Sequence, residues 1–194
     1  SLTHFAESAV RAYELAMTPP MMPVLITIDG ALQEDPITPA MASRLHVPKL
    51  TVATPPQGDS GAVAEAARLL VNAENPVIVV DRAARTPAGI TLLVELAETL
   101  QAPVIDRRGR MNFPSHHPLN QTENDNQVIA GADVILGLEL FDFWGTVHAM
   151  RDALHRTTRS RVRPGTRLIS ITASDLFTKS NFQDFQRYPE VDIA

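Results

Sequence analysis

The chain contains no cysteine, which removes disulfide frameworks, thiolate metal sites and cysteine nucleophiles together and fits a reducing, cytoplasmic setting. Long apolar runs are missing as well. The longest, such as Pro76–Val80 and Val134–Leu138, stop far short of the roughly 20 residues that span a bilayer, and no charged-then-apolar signal opens the chain. Positive charge is in deficit, 17 Lys and Arg against 22 Asp and Glu for a net of -5, so neither nucleic acid nor a membrane is expected as partner. What remains, 44% hydrophobic and 20% charged over 194 residues, is the composition of a globular protein with one sizeable core. Ser1 runs at once into a helical pattern and the chain stops as an apolar run begins after Pro189, which reads as a segment of a longer chain.

Ala6, Ala9, Val10, Tyr13, Leu15 and Ala16 recur at helical spacing, and Thr18–Pro20 ends that helix because proline cannot continue it. Pro23–Asp29, PVLITID, reads as a buried strand. From Gly30 to Gly58 prolines are dense and periodicity is weak, the pattern of an extended connector. Beyond it the pattern becomes regular. Helices are predicted at Ser60–Asn72, Pro87–Leu100, Asn126–Ala130 and within Val147–His155, and strands at Pro76, Pro103, Asp133, Thr166 and the start of one at Val191. Strands apolar on both faces, alternating with amphipathic helices, specify an α/β fold: a doubly wound, Rossmann-like parallel sheet of about six strands with helices on both faces. Ligands in such sheets bind at the carboxyl ends of the strands.

Several motifs invite chemical readings. Gly58–Gly61, GDSG, matches a serine-protease tetrapeptide, but it precedes AVAEAARLL, and Asp59 or Ser60 is better read as a helix N-cap. Asp81–Pro87, DRAARTP, supplies arginines where a dinucleotide loop has glycines that let the backbone approach a pyrophosphate. Arg82 and Arg85 suit a phosphate fork or a surface pair. Arg107, Arg108 and Arg110 follow a strand and flank Gly109, which places them at the crevice edge, facing a phosphate or a neighbouring domain. Adjacent His116 and His117 diverge and lack a third ligand at zinc-like spacing, so they read as structural. Arg151–Arg167 is the one basic run, without interleaved aromatics, and reads as a solvated loop or interdomain contact.

Three stretches taken in order, Ala62–Ala84, Leu96–Asn120 and Ala130–Leu140, resemble the central domain of thiamine-diphosphate-dependent enzymes of the acetolactate synthase type. The most specific is G-x-x-x-F-P-x-x-H-P-L at Gly109–Leu119. Ser8–Gly30 likewise resembles the last helix and strand of that family's pyrimidine-binding domain. The resemblance implies residues 1–30 as the end of that domain, 31–58 as a linker and 59–194 as the central domain. It implies thiamine diphosphate and Mg²⁺ in the parent enzyme, bound through a glutamate and a G-D-G motif with its asparagine outside this chain, flanking pyrimidine- and diphosphate-binding domains, and a homodimer or tetramer. No residue here inherits a catalytic role.

The same resemblance implies a nucleotide crevice, which holds FAD in acetolactate synthases, ADP in one decarboxylase branch and nothing in several others. Flavin-binding members have glycines where this chain has Asp81–Arg85. The nucleotide-facing positions it implies are Arg82, Ala83, Arg107, Arg108, Gly109, Leu138, Glu139 and Ser174. The arginines keep a second reading open, a stand-alone FAD-, ADP- or NAD-binding module. A sirtuin-like deacylase would need a glycine-rich NAD loop and zinc-binding cysteines, which the sequence lacks.

Overall fold

The structure is a computed structural model that describes residues 2–19, 21–52, 57–109, 111–152, 154, 157–173, 187–188 and 190–194. Two compact units divide the chain, residues 1–57 and 58–194.

In the first unit, α1 (Leu2–Met17) ends where the Thr18 amide and hydroxyl both donate to the Glu14 carbonyl. Residues 21–29 form no strand and are exposed throughout, Leu25 at 87%. This corrects the predicted strand at Pro23–Asp29. A strand exists only through a ladder to a neighbour, and no described segment pairs with this one. Two short helices, α2 (Gly30–Glu34) and α3 (Pro39–Ala42), interrupt the connector, each begun by a side-chain cap, Asp29 to the Ala31 amide and Thr38 to the Met41 amide.

The second unit is built on α4 (Ser60–Val71), β1 (Pro76–Val80), α5 (Pro87–Leu100), β2 (Val104–Asp106), α6 (Asp125–Gly131), β3 (Val134–Leu138), α7 (Phe143–Val147), β4 (His148–Asp152), β5 (Thr157–Ser160) and β6 (Arg167–Ile171). Asp59 caps α4 by accepting from the Ala62 amide at 2.8 Å, and Thr86 caps α5 with Pro87 in its first turn. β2, β1, β3 and β6 form a parallel sheet in that order.

The sheet has four strands in place of the six expected. At each edge the next position shrinks to a single parallel bridge, Val104 to Asn120 and Ile169 to Ile193. Counted with those bridges, the spatial order is the 3-2-1-4-5-6 of a doubly wound fold. The position beside β2 is kept short by Pro118, which precedes it, and the position beside β6 is entered at Ile193.

Alternation along the strands sorts the core into two layers. Ile78, Val80, Val104, Val134 and Leu136 pack with Ala66, Leu70, Leu93 and Ala97 of α4 and α5. Val77, Val79, Ile105 and Ile135 pack with Ile129, Phe143 and Val147 of α6 and α7. Each fully buried aliphatic side chain contributes about 1.5–3 kcal/mol, so helices on both faces are what make these doubly apolar strands stable.

The helix expected within Val147–His155 is instead the start of an antiparallel hairpin, β4 with β5. His148 turns to an extended backbone and its ring stacks on Trp144 at 4.5 Å, which ends α7. Thr157 and Thr158, β-branched, then pair across. The basic run is thus partly structural. Arg161 is only 10% exposed, with Asp125 at 2.9 Å, Asn126 at 3.0 Å and the Thr146 carbonyl at 2.9 Å.

Two positions pin the sheet. A methyl group on Gly137 would lie inside contact distance of the Phe143 ring and 2.8 Å from Leu140 Cδ1, so only glycine lets α7 sit on β3. Gly137→Ala is expected to cost about 1–3 kcal/mol through overpacking, read as a fall in Tm; an unchanged melt would refute the close approach. Asp133 accepts from the Glu74 and Asn75 amides at 2.8 and 2.9 Å, tying the start of β3 to the turn before β1. Partial burial by itself would raise its carboxyl pKa, but those amides and the charge of Arg163 outweigh this and hold it below the ordinary value. A folded pKa below the unfolded one stabilises above the unfolded pKa and is lost as pH falls through the folded one. Asp133→Ala should therefore melt a few degrees lower at neutral pH, with the gap to the parent closing below the ordinary carboxylate range. A gap that persists in acid would contradict this.

Candidate functional site

The switch point of the sheet lies between β1 and β3, whose following loops leave toward opposite layers, to α5 and to α7. Open parallel sheets bind ligands in that crevice. Its floor is Asp81, 2% exposed, whose Oδ2 accepts from the Phe141 amide at 3.2 Å with Arg108 Nε 3.8 Å away. Over it lies Phe141, half-buried, with the guanidinium carbons of Arg108 and Arg82 over its ring at 4.4 and 5.0 Å from the centroid. The cavity left among Asp81, Arg107, Arg108, Phe141, Asp142 and Thr146 measures about 40 Å³.

Most of the predicted positions gather here, but in uses of their own. Arg107 pairs with Asp125 at 3.2 Å, sharing that carboxylate with Arg161. Arg108 stands in the left-handed region, φ 63°, which aims it at Phe141. Glu139, also left-handed at φ 50°, accepts from the Ala173 amide at 2.8 Å and the Thr172 hydroxyl at 3.2 Å, so it braces the end of β6. Ala83 and Leu138 pack against the core layer under α4 and α5. Gly109 closes a single turn, Arg107–Gly109. Arg85 donates through Nε to the Arg82 carbonyl. Arg110 and Ser174 lie outside the described residues.

Sequence reasoning passed over Asn112, the residue that assembles the site. Asn112 is 2% exposed. Its Nδ2 donates to the Asp81 carbonyl at 2.6 Å and to Asp106 Oδ1 at 2.8 Å, and its Oδ1 accepts from the Ala84 amide at 3.1 Å. Asp106, 7% exposed, accepts further from the Asn112 and Phe113 amides. The available signal was a polar residue immediately before the Phe113–Pro114 of the specific motif. His117 is engaged within its own surroundings: its Nδ1 accepts from the Leu119 amide, its Nε2 lies 3.3 Å from Glu98, and its ring meets Phe113 edge-on. A larger groove of about 770 Å³, lined by Ile90, Phe113, Pro114 and His116, contains none of the predicted nucleotide positions.

Among the described residues none of the acidic motifs is arranged to hold thiamine diphosphate with Mg²⁺. The aspartates of Ile28–Gly30 and Gly58–Ser60 are spent on helix caps. Among the described residues no group of three or more His, Cys, Asp or Glu side chains could hold a metal ion. No described helix is long and apolar enough to cross a membrane.

Comparison with known proteins adds to this geometry. The model of the family described as "Thiamine pyrophosphate enzyme, central domain" matches residues 63–173. A sulfoacetaldehyde acetyltransferase of Roseovarius nubinhibens is 34% identical over 102 residues, covering 48% of this chain and 17% of that protein. Benzoylformate decarboxylase from Polynucleobacter necessarius is similar in structure with a TM-score of 0.62 at 23% identity, over 88% of this chain and 31% of its own. The thiamine diphosphate-dependent 4-hydroxybenzoylformate decarboxylase of Rhodococcus jostii gives 0.60 at 22%, over 89% and 32%. At those identities the solved structures speak for the fold alone. The chain spans about a third of their length.

Asn112→Ala would leave the Ala84 amide and the Asp81 carbonyl without these bonds inside the protein. A loss on the order of 3 kcal/mol is expected in urea unfolding. Asn112→Asp keeps the size but turns a second acceptor toward Asp106 and should be at least as damaging. Wild-type stability in Asn112→Asp would remove the carboxamide from its organising role.

Proposed function

The chain belongs to the thiamine pyrophosphate enzyme central-domain family, and from that premise we propose that it is the middle segment of an enzyme that makes or breaks a carbon–carbon bond next to the carbonyl of a 2-oxo acid or related acyl donor, acetolactate synthase-like or a decarboxylase. The observation that carries the reading is the family match, which runs from α4 through the end of β6 and so takes in the whole parallel sheet. A decarboxylase named for the 2-oxo acid benzoylformate among the similar structures supports that reaction class, and the acetyltransferase relative supports an acyl donor as substrate.

In this proposal residues 1–30 complete the pyrimidine-binding domain, 31–58 cross between domains and 59–194 are the central domain. Thiamine diphosphate and Mg²⁺ bind outside this chain, in a cytoplasmic homodimer or tetramer. The cofactor supplies the electron sink, and the protein supplies orientation. The chain's own task is mechanical: a sheet braced on both faces spaces and locks the two cofactor-binding domains and contributes subunit contacts.

The complete protein, loaded with thiamine diphosphate and Mg²⁺, is expected to consume a compound from a panel of pyruvate, benzoylformate and sulfoacetaldehyde, followed as substrate loss and carbon dioxide release. Residues 1–194 alone should bind the cofactor at least about 100-fold more weakly by calorimetry. Equal affinity of the segment, or a loaded complete protein inert toward the whole panel, would sink the proposal.

A further inference from the structure

The switch-point crevice is a place where folds of this kind take nucleotides, and here three independent features close it. First, pairing between β1 and β3 runs past both strand ends: the Asp81 amide donates to the Leu138 carbonyl at 3.2 Å and the Arg82 amide to the Glu139 carbonyl at 3.3 Å. These rungs hold together two loops that would otherwise part toward opposite layers. Second, the phosphate-facing cations are engaged. Arg82 and Arg108 lie over Phe141, and Arg107 is tied to Asp125. Third, the space that remains is about 40 Å³, room for a few water molecules, where ligand pockets run to roughly 300–1,000 Å³.

The chemistry of the floor agrees with the geometry. The buried carboxylate of Asp81 stands at the end of β1, with that of Asp142, 9% exposed, on the same cavity. A diphosphate lowered into this space would meet these two carboxylates in low dielectric, where repulsion is strong, while Arg107 and Arg108 on the same lining are held by Asp125 and Phe141. The aromatic face that would stack under two guanidinium groups is already supplied by the chain itself.

We infer that Phe141 is a built-in occupant of the nucleotide crevice: it holds Arg82 and Arg108 in the manner of a ligand ring, keeps the crevice shut against FAD, ADP and NAD, and masks a latent nucleotide site that its removal opens. The inference rests on the fold and these contacts, not on the catalytic reading above, so the two can fail separately.

The test is calorimetric titration of the complete protein with ADP and with FAD, in the presence of saturating thiamine diphosphate to block the diphosphate site. The wild type is expected to show no saturable binding up to about 1 mM, and Phe141→Ala to bind ADP at least about tenfold more tightly. Circular dichroism reports whether that variant folds. If it does not, Phe141→Leu, which keeps an apolar filler but loses the ring, is expected to show a smaller gain. Saturable binding by the wild type overturns the inference. So does a folded Phe141→Ala, or Phe141→Leu in its place, that gains nothing.

Discussion

The carboxamide of Asn112 lies buried between the loops that follow β1 and β2, and its hydrogen bonds decide where those loops can go. It reaches the loop after β1 through the Asp81 carbonyl and the Ala84 amide, and the end of β2 through Asp106. A buried polar group so fully used is costly to disturb, because each severed bond leaves a donor or acceptor without water to replace it. The position of Asp81 follows from this knot, the height of Phe141 follows from Asp81, and the two arginines follow Phe141. Among the described residues, the carboxyl edge of the sheet is therefore an assembly in which Arg82, Arg107 and Arg108 are each engaged by the chain itself.

The parallel sheet was legible from sequence because its cause is local and repeated. Runs such as Pro76–Val80 and Val134–Leu138 are apolar on both faces, and that pattern has few uses other than a strand covered twice. Helix starts were legible at Asp59 for the same reason, a capping side chain ahead of an apolar period. What failed were elements whose state depends on a distant neighbour. Pro23–Asp29 has strand composition but no described partner, and Val147–His155 yields to a hairpin whose second strand lies ten residues on. The outer position at Asn120 failed by length, since a bridge of one residue leaves no pattern to read, whereas the apolar start at Val191 was legible and meets β6 at Ile193.

At the candidate site the strand ends foretold which residues meet but not what they meet for. Arg82, Arg107 and Arg108 follow strand ends and were bound to reach one crevice. Their partners, Phe141 and Asp125, stand on segments with no motif of their own. Asn112 was hidden by its chemistry, because a carboxamide in a loop is ordinarily a solvated turn residue. Only the fold reveals that this turn is inside. The division of labour proposed for the family fits such a site: a domain that spaces others gains from an edge that does not move.

The single-residue bridges at the sheet's flanks have an effect of another kind. An open strand edge is a row of unused donors and acceptors, and it recruits any extended chain that passes, including another copy of itself. Here the outer side of β2 is used up where Val104 bonds to Leu119 and Gln121, and the outer side of β6 where Leu168 and Ser170 bond to residues 192 and 193. The short loop segment laid along the β2 margin thus acts as a selvedge: it adds almost nothing to the sheet's width, yet it denies a stray strand the template on which aggregation would begin, and residues 192 and 193 occupy the β6 margin to the same end.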